Sequence, residues 1–230
     1  MLFRSSFPAD HFLVADGFVQ SWIDCAGVRH IKLDRAHGDY GNTARGLGAL
    51  LAVADKYDGI GFLDADNFLD PDHVARCVER GAQKPRPDAL IARRRFVRPD
   101  GSELHLSEEP DHIDTNSWWF LDGAYHLLPF WVLIPRQMTP IGDRVFAGLT
   151  ETAKLVCAPL SQATVNYTCL WEGVYRLIGE TPPEGAKPDI DLKAVLRWMI
   201  ALEGEKRRNV ARLCAGDLVP WAEHMLASLG

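Results

Sequence analysis

The first third of the chain alternates apolar runs with amphipathic stretches. Runs at residues 11–15, 28–33 and 59–63 predict three strands, because each is short and is followed by glycine or polar residues. Helices are predicted from Asn42 and after Asp70, where a capping side chain precedes a stretch with helical spacing. Alternating strands and helices predict an α/β fold whose sheet is mostly parallel and is flanked by helices.

The first predicted helix has a recognisable apolar face. Leu47, Leu50, Leu51 and Ala54 follow the i, i+3, i+4, i+7 spacing that places side chains on one side of a helix. We expect this leucine-rich side to be the buried one.

The remainder of the chain is less regular. Residues 89–98, 117–121 and 164–169 predict further strands, and a turn before residues 102–106 predicts a hairpin. A stretch rich in proline and glycine at 180–188 predicts a linker, and amphipathic helices follow it.

Composition agrees with a folded protein of ordinary size. The 230 residues are 47% hydrophobic and 24% charged, and we predict a domain at 1–180 with a helical extension at 181–230. The net charge of −6 argues against nucleic-acid binding. The longest apolar run, 127–135, is too short for a membrane span of roughly 20 residues. Five cysteines without a CxxC pair predict reduced thiols.

The segment Asp64-Ala65-Asp66 is the strongest candidate for chemistry. It follows the predicted strand 59–63 directly, and ligands of open sheets bind beyond the carboxyl ends of strands. Two carboxylates one residue apart can hold Mg²⁺ or Mn²⁺, which in turn binds a diphosphate. A metal there would supply the positive charge that an acidic protein lacks.

Several segments resemble one known family. Residues 62–74 (FLDADNFLDPDHV) resemble the strand and metal motif of the family-2 glycosyltransferases, which have the GT-A fold, a Rossmann-like α/β architecture. Residues 13–17 (LVADG) and 40–48 (YGNTARGLG) are similar to the strand and helix start that precede that motif. Residues 114–131 are similar to its acceptor-side strand and helix, and 141–144 (IGDR) to the segment carrying the catalytic carboxylate.

The resemblance implies a transfer of sugar from a nucleotide-sugar donor to an acceptor hydroxyl, with inversion at the sugar carbon. Asp16 would lie near the base or ribose of the nucleotide, and Arg45 near the nucleotide or its phosphates. Asp64 would contact the ribose or sugar, and Asp66, together with Asp64, would hold Mn²⁺ or Mg²⁺. Asp143 would be the general base that deprotonates the acceptor.

The same resemblance implies a saccharide or glycolipid acceptor, with Asp114, Trp118 and Trp119 as acceptor-binding candidates. Because adjacent residues of a strand face opposite sides, one of the two tryptophans is predicted to lie in the core. The family's enzymes suggest a bacterial, cytoplasmic protein, either free or attached to the surface of the inner membrane.

Each site residue also has a purely structural interpretation. Asp16 can cap the Asp-Gly turn, and Arg45 can lie on a solvated helix face. Asp143 can cap a helix, and Asp114 can hydrogen-bond Asn116 in a turn. Both interpretations of each residue remain open from the sequence.

Two alternative functions are considered, one from a departure from the family pattern and one from a motif that another family shares. The family has a strand and helix before the acid corresponding to Asp16, a unit of roughly 30 residues or more, and only fifteen residues precede Asp16 here. We therefore expect this first strand and helix to be absent, either because the sequence is a truncated reading of a longer gene or because it is a divergent member with an incomplete donor site. The second case favours a catalytically incomplete remnant or binding module as the alternative. A strand followed by DxD also occurs in haloacid dehalogenase phosphatases, but Phe68 stands where that pattern has Thr or Val.

Overall fold

A computed structural model describes residues 5–25, 27–106, 113–214 and 216–229. Within these ranges the chain forms eight strands and eight α-helices, joined in places by 3₁₀ turns. The strands are β1 (Phe12–Asp16), β2 (Arg29–Leu33), β3 (Ile60–Gly61), β4 (Phe68–Leu69), β5 (Ala89–Val97), β6 (Glu103–Leu104), β7 (Trp118–Phe120) and β8 (Cys157–Thr168). The α-helices are α1 (Asn42–Ala54), α2 (His73–Gly81), α3 (Phe130–Leu133), α4 (Gly142–Thr152), α5 (Glu172–Leu177), α6 (Leu192–Ile200), α7 (Gly204–Leu213) and α8 (Val219–Ser228).

The strands form two sheets. β1 and β2 make a parallel pair, with Phe12 opposite Arg29 and Asp16 opposite Leu33. The other six strands form one sheet in the order β3-β7-β5-β8-β4, with β6 paired to β5. Helix α1 packs against β1 and against α3, so it connects the small sheet to the body of the protein.

The α/β class is confirmed, but the prediction of a mostly parallel sheet is wrong. In the six-stranded sheet only the β5–β8 pairing is parallel, and β3–β7, β5–β7, β4–β8 and β5–β6 are all antiparallel. Alternating strands and helices give parallel neighbours when each strand pairs with the next one along the chain. Here β3 and β4 pair instead with β7 and β8, which come much later in the sequence, and both pairings are antiparallel. The predicted β5–β6 hairpin is confirmed.

Aromatic side chains form the centre of the core. Trp118 and Phe120 stack 5.6 Å apart on β7, and Phe146 of α4 stacks on Trp131 of α3 at 4.9 Å. All four are at most 1% exposed. This cluster fixes α3 and α4 against the sheet and thereby places the beginning of α4.

Helix α1 is where it is predicted, but the prediction of its buried face is wrong. Its buried residues are Asn42, Gly46, Ala49 and Ala52, whereas Leu50 and Leu51 are exposed. A Cβ at Gly46 would overlap Val132 of α3. Helix α1 thus approaches its neighbours so closely that only small residues fit, and the leucines lie outside.

The C-terminal helices share the main core. Leu196 and Met199 of α6 and Ala222 of α8 belong to the same buried cluster as Trp118 and Phe146. Helix α7 has no buried residue. The division into residues 1–180 and 181–230 therefore stays a prediction.

Two further sequence predictions concern cysteines and membrane spans. Cys77, Cys157, Cys169 and Cys214 are free thiols, and the side chain of Cys25 lies outside the described residues. Burial raises the pKa of the Cys77 thiol to about 12, so this group is inert at neutral pH. In the described part of the chain, every helix is too short or too polar to cross a bilayer.

Candidate functional site

A cleft of about 800 Å³ opens between the start of α1, the β3–β4 loop, the ends of β5 and β8, the start of α4 and the segment leading into α6. Its wall contains both acidic and basic side chains. The charged lining residues are Arg45, Asp64, Asp66, Arg94, Asp114, Asp143, Arg144, Lys187 and Asp189.

Two glycines position the loop that carries the predicted metal motif. Trp119 of β7 lies flat against Gly59 and Gly61, and a Cβ at Gly59 would come within 2.5 Å of the indole nitrogen. After β3 the chain turns, with the Asn67 N–H donating to the Asp64 carbonyl at 3.1 Å. The turn directs Asp64 and Asp66 into the cleft.

Asp64 is held on both carboxylate oxygens. Arg45 of α1 donates from Nε to Asp64 Oδ1 at 3.1 Å, and its Nη2 contacts the same oxygen. Asn116 donates from Nδ2 to Asp64 Oδ2 at 3.1 Å, while its Oδ1 accepts the Asp64 N–H at 2.6 Å. The Tyr40 carbonyl accepts from Arg45 at 2.7 Å and orients the guanidinium. Asp64 is therefore a rigidly placed anion.

Asn116 extends this network to a second carboxyl group. Its side-chain and backbone N–H groups donate to Asp114 Oδ1 at 2.7 and 2.9 Å. On the other side, Arg94 Nη1 lies 3.8 Å from Asp114 Oδ2, and its guanidinium lies 5.4 Å from the centre of the Tyr167 ring. The resulting row runs Arg45–Asp64–Asn116–Asp114–Arg94, and all of its members except the buried Asn116 line the cleft.

Asp114 is the carboxyl group most altered by its surroundings. Burial raises its pKa above the ordinary value, Arg94 and the hydrogen bond from Asn116 lower it, and the negative charges of Asp143 and Asp64 raise it further. The net direction is upward, so Asp114 keeps its proton to a higher pH than an exposed aspartate does. The effect of Asp143 also means that these two carboxyl groups lie near enough to sense each other's charge.

Asp143 lies in the first turn of α4. Its Oδ1 accepts the Arg144 N–H at 2.8 Å, and a helix N-terminus favours a negative charge. Asn42, at the start of α1, donates to the Thr139 carbonyl at 3.1 Å, and a Cβ at Gly142 would come 2.9 Å from Asn42 Oδ1. The starts of α1 and α4 are thus pinned together, which fixes the two helix ends that carry cleft residues.

Asp66 has a different environment. Lys187 donates to its Oδ2 at 3.1 Å, and the two side chains are 38% and 48% exposed. The Lys187 ammonium also lies 5.6 Å from the centre of the Trp171 ring. This pair stands at the solvent-facing part of the cleft, where water screens the interaction.

Three predicted site residues lie away from the cleft. Asp16 accepts the His37 N–H at 3.0 Å and contacts the same residue's ring at 2.5 Å, beside the β1–β2 pair. Trp118 is buried in the aromatic core, and Trp119 packs on the opposite face of β7 against the β3 glycines. The prediction that the two tryptophans face opposite sides is confirmed.

The other predicted residues come together. Arg45, Asp64, Asp66, Asp114 and Asp143 all line the cleft, although they come from four separate parts of the sequence. The predicted hydrogen bond between Asp114 and Asn116 is also present; it does not exclude a role in binding.

Sequence reasoning missed three residues that shape the site. Asn116 lies within a quoted motif, and its single-residue spacing from Asp114 is a signal for a turn that could have drawn attention to it. Arg94 stands in a run of three arginines on a predicted strand, and a buried arginine needs a carboxylate partner. Lys187 lies in the predicted linker and carries no local signal.

The cleft offers few side chains as ligands for the predicted Mn²⁺ or Mg²⁺. Within the ranges the structure describes, no three His, Cys, Asp or Glu side chains come together as a metal-binding group. Mg²⁺ bound with a substrate phosphate often uses only one or two carboxylates. Asp66, exposed to the cleft, suits that role, whereas both oxygens of Asp64 already contact Arg45 or Asn116.

Comparison of the chain with models of known protein families finds no match, and a search of curated proteins finds none with significant similarity. The residues of the cleft and their geometry are therefore the basis for a functional proposal.

Proposed function

We propose that this protein is a glycosyltransferase that moves a sugar from a nucleotide-sugar donor to an acceptor hydroxyl with inversion, and that its architecture is a variant of the GT-A fold. The observation that carries the proposal is the convergence of Asp66, Asp64 and Arg45 with Asp143 in one cleft. These are the residue types that a diphosphate leaving group and a hydroxyl nucleophile require.

Asp143 is the general base in this proposal. Its carboxylate accepts the proton of the acceptor hydroxyl while that oxygen forms a bond to the anomeric carbon of the sugar. The bond from the same carbon to the diphosphate breaks on the opposite face, which inverts the configuration.

Cations of the chain stabilise the leaving group. Arg45, Arg144 and Lys187 line the cleft and offer N–H donors to the charge that develops on the diphosphate. A divalent cation bound at Asp66 would add Lewis-acid stabilisation of the same charge. Arg45 is held by Asp64 and Tyr40, so its guanidinium is placed before the donor arrives.

One rim of the cleft is apolar, which favours an acceptor with both sugar and lipid character. Leu170, Val174 and Leu177, around α5, line the cleft together with Trp171. Leu177 is 81% exposed. An apolar rim beside a charged centre is suited to a glycolipid, whose sugar reaches the base while its lipid part remains at the rim.

Thermal unfolding tests the proposal. The protein is heated with UDP, GDP, CDP, ADP or dTDP, each with and without Mn²⁺. A ligand at about 100 times its Kd stabilises a fold by roughly 2.7 kcal/mol, and we expect one nucleotide to do so only with Mn²⁺. Asp66→Asn should lose this shift. Failure of every nucleotide, and of the corresponding sugar nucleotides, would contradict a working donor site.

A binding module without transferase activity is the second candidate. It is favoured by the ion pairs that engage both acidic residues of the motif, Asp64 with Arg45 and Asp66 with Lys187. The two functions differ in turnover. Release of nucleoside diphosphate from the sugar nucleotide that binds, lost in Asp143→Asn, supports the enzyme, whereas binding without release supports the module.

A further inference from the structure

The ion pair between Asp66 and Lys187 places a cation of the protein at the carboxylate predicted to hold a metal. The ammonium donates to Asp66 Oδ2 at 3.1 Å, although the two residues are 121 positions apart in the sequence. A divalent cation that binds at this oxygen is repelled by the ammonium and therefore competes with it for the carboxylate.

The backbone around Lys187 is firmly attached. Its N–H donates to the Leu170 carbonyl at 2.6 Å, and its carbonyl accepts the Glu172 N–H at 2.9 Å. Two residues on, Asp189 accepts the Gly173 N–H at 2.8 Å and contacts Arg176 at 2.5 Å. The position of the Cα of Lys187 is thus set by the start of α5, which leaves its side chain as the part that can move.

The charged end of Lys187 is held much more weakly. About half of the side chain is exposed, and exposed ion pairs contribute little to stability. Lysine also has a flexible stem and a compact ammonium that turns readily from one anion to another. Arg45 differs, because two of its nitrogens contact Asp64 and a third donates to the Tyr40 carbonyl.

We propose that Lys187 is an exchangeable counter-ion of Asp66: it neutralises this carboxylate in the empty cleft, gives it up to a divalent cation, and then contacts the diphosphate that the cation brings. Before the exchange the ammonium faces Asp66; after it the divalent cation faces Asp66, and the ammonium faces the diphosphate. The identification of the incoming anion rests on the proposed function, whereas competition for Asp66 between the ammonium and the metal does not.

Binding of Mn²⁺ alone tests the competition. The free Mn²⁺ concentration is measured by electron paramagnetic resonance during titration of the wild-type protein, Lys187→Gln, Lys187→Arg and Lys193→Gln. Removing a positive charge beside a bound divalent cation should strengthen binding about tenfold in Lys187→Gln. Lys187→Arg and the matched surface control Lys193→Gln should bind as the wild type does, and Lys187→Gln/Asp66→Asn should lose the gain.

Two results would overturn the proposal. One is an affinity for Mn²⁺ in Lys187→Gln that is within twofold of the wild type, including the case in which neither protein binds Mn²⁺. The other is an equal gain in Lys193→Gln, which would mean that only net charge matters. Thermal unfolding of each variant without ligand checks that the fold is intact.

Inorganic diphosphate tests the second half of the exchange. With saturating Mn²⁺, Lys187→Gln should bind diphosphate about tenfold more weakly than the wild type, while Lys187→Arg should retain the affinity. Unchanged binding in Lys187→Gln would refute contact with the phosphate. Because neither titration uses a nucleoside, failure of the nucleotide panel would refute the proposed function and leave these results interpretable.

Discussion

Asp64 and Asp66 are separated by one residue, yet their surroundings differ in nearly every respect. Asp64 contacts Arg45 and Asn116 and belongs to a row of side chains that extends to the buried Arg94. Asp66 contacts Lys187 at the exposed part of the cleft. The comparison shows that a DxD motif can contain one acid held on both oxygens and one acid held by a single, half-exposed ion pair. We expect stability to depend on the first region and cation binding on the second.

The largest expected effect comes from the buried end of the row. Arg94→Met removes the cation facing Asp114, and breaking a buried ion pair typically costs about 3 kcal/mol or more. Because Arg94 lowers the pKa of Asp114, its loss should raise that pKa further, and the destabilisation should grow with pH. Urea unfolding measures it. Arg93→Met, at an exposed neighbour on the same strand, is the control and should change stability much less.

Asn116→Ala should have the next largest effect. Asn116 is 1% exposed, donates to both Asp64 and Asp114, and accepts the Asp64 N–H. Its removal leaves buried groups without partners, for which we expect a loss of about 2 kcal/mol in the free energy of unfolding. Asn209→Ala, at an exposed position of α7, is the matched control. Equal losses in both variants would contradict the network as described.

A smaller effect is expected in the pH dependence of stability. The pKa of Asp114 is raised in the folded protein, so the folded state binds more protons than the unfolded state between the two pKa values. The stability that Asp114 contributes is therefore fully present below the ordinary carboxyl pKa and is lost as pH rises through the raised value. Urea unfolding across pH should show this decline in the wild type relative to Asp114→Asn.

Asp72 serves as a control for that experiment, because its pKa is shifted in the opposite direction. The hydrogen bond from Arg76 lowers the pKa of Asp72, so its contribution is present above the ordinary carboxyl pKa and is lost as pH falls. The difference between the wild type and Asp72→Asn should therefore shrink toward low pH. If the stability differences from the wild type changed with pH in the same direction for Asp72→Asn and Asp114→Asn, a raised pKa at Asp114 would be ruled out.

The smallest effect is expected at the exposed acid. Asp66→Asn breaks a pair whose side chains are 38% and 48% exposed, and exposed pairs contribute about 0.5 kcal/mol. We expect its free energy of unfolding to lie within that amount of the wild type, while Mn²⁺ binding is lost. A loss as large as that of Asn116→Ala would remove the distinction between the two acids.

Local elements were predictable where a short stretch of sequence contains its own signal. The strands near residues 11–15, 28–33 and 89–98 and the helix from Asn42 lie where their patterns predict them. The buried face of α1 was not predictable from hydrophobicity, because close packing at Gly46 selects small residues over leucines. The hydrophobic pattern is a property of a single helix or strand. Which of its faces is buried also depends on how closely the neighbouring element packs against it.

The candidate site, too, was predictable only in part from the sequence. The sequence indicated Arg45, Asp64, Asp66, Asp114 and Asp143, and the structure brings all five into one cleft. It did not indicate Lys187, which a linker-like composition conceals, nor the separation of Asp16 from the cleft. These depend on how distant segments are arranged.

By itself, the sequence determined the α/β class, the positions of most elements and the acidic motif at the end of β3, because neighbouring residues decide each of these. Only the tertiary structure decided the mixed direction of the sheet and which cation neutralises which carboxylate. The contacts of Asp64 with Asn116 and of Asp66 with Lys187 span 52 and 121 residues. Such pairings follow from the packing of the whole chain, and no local pattern of charge or hydrophobicity contains them.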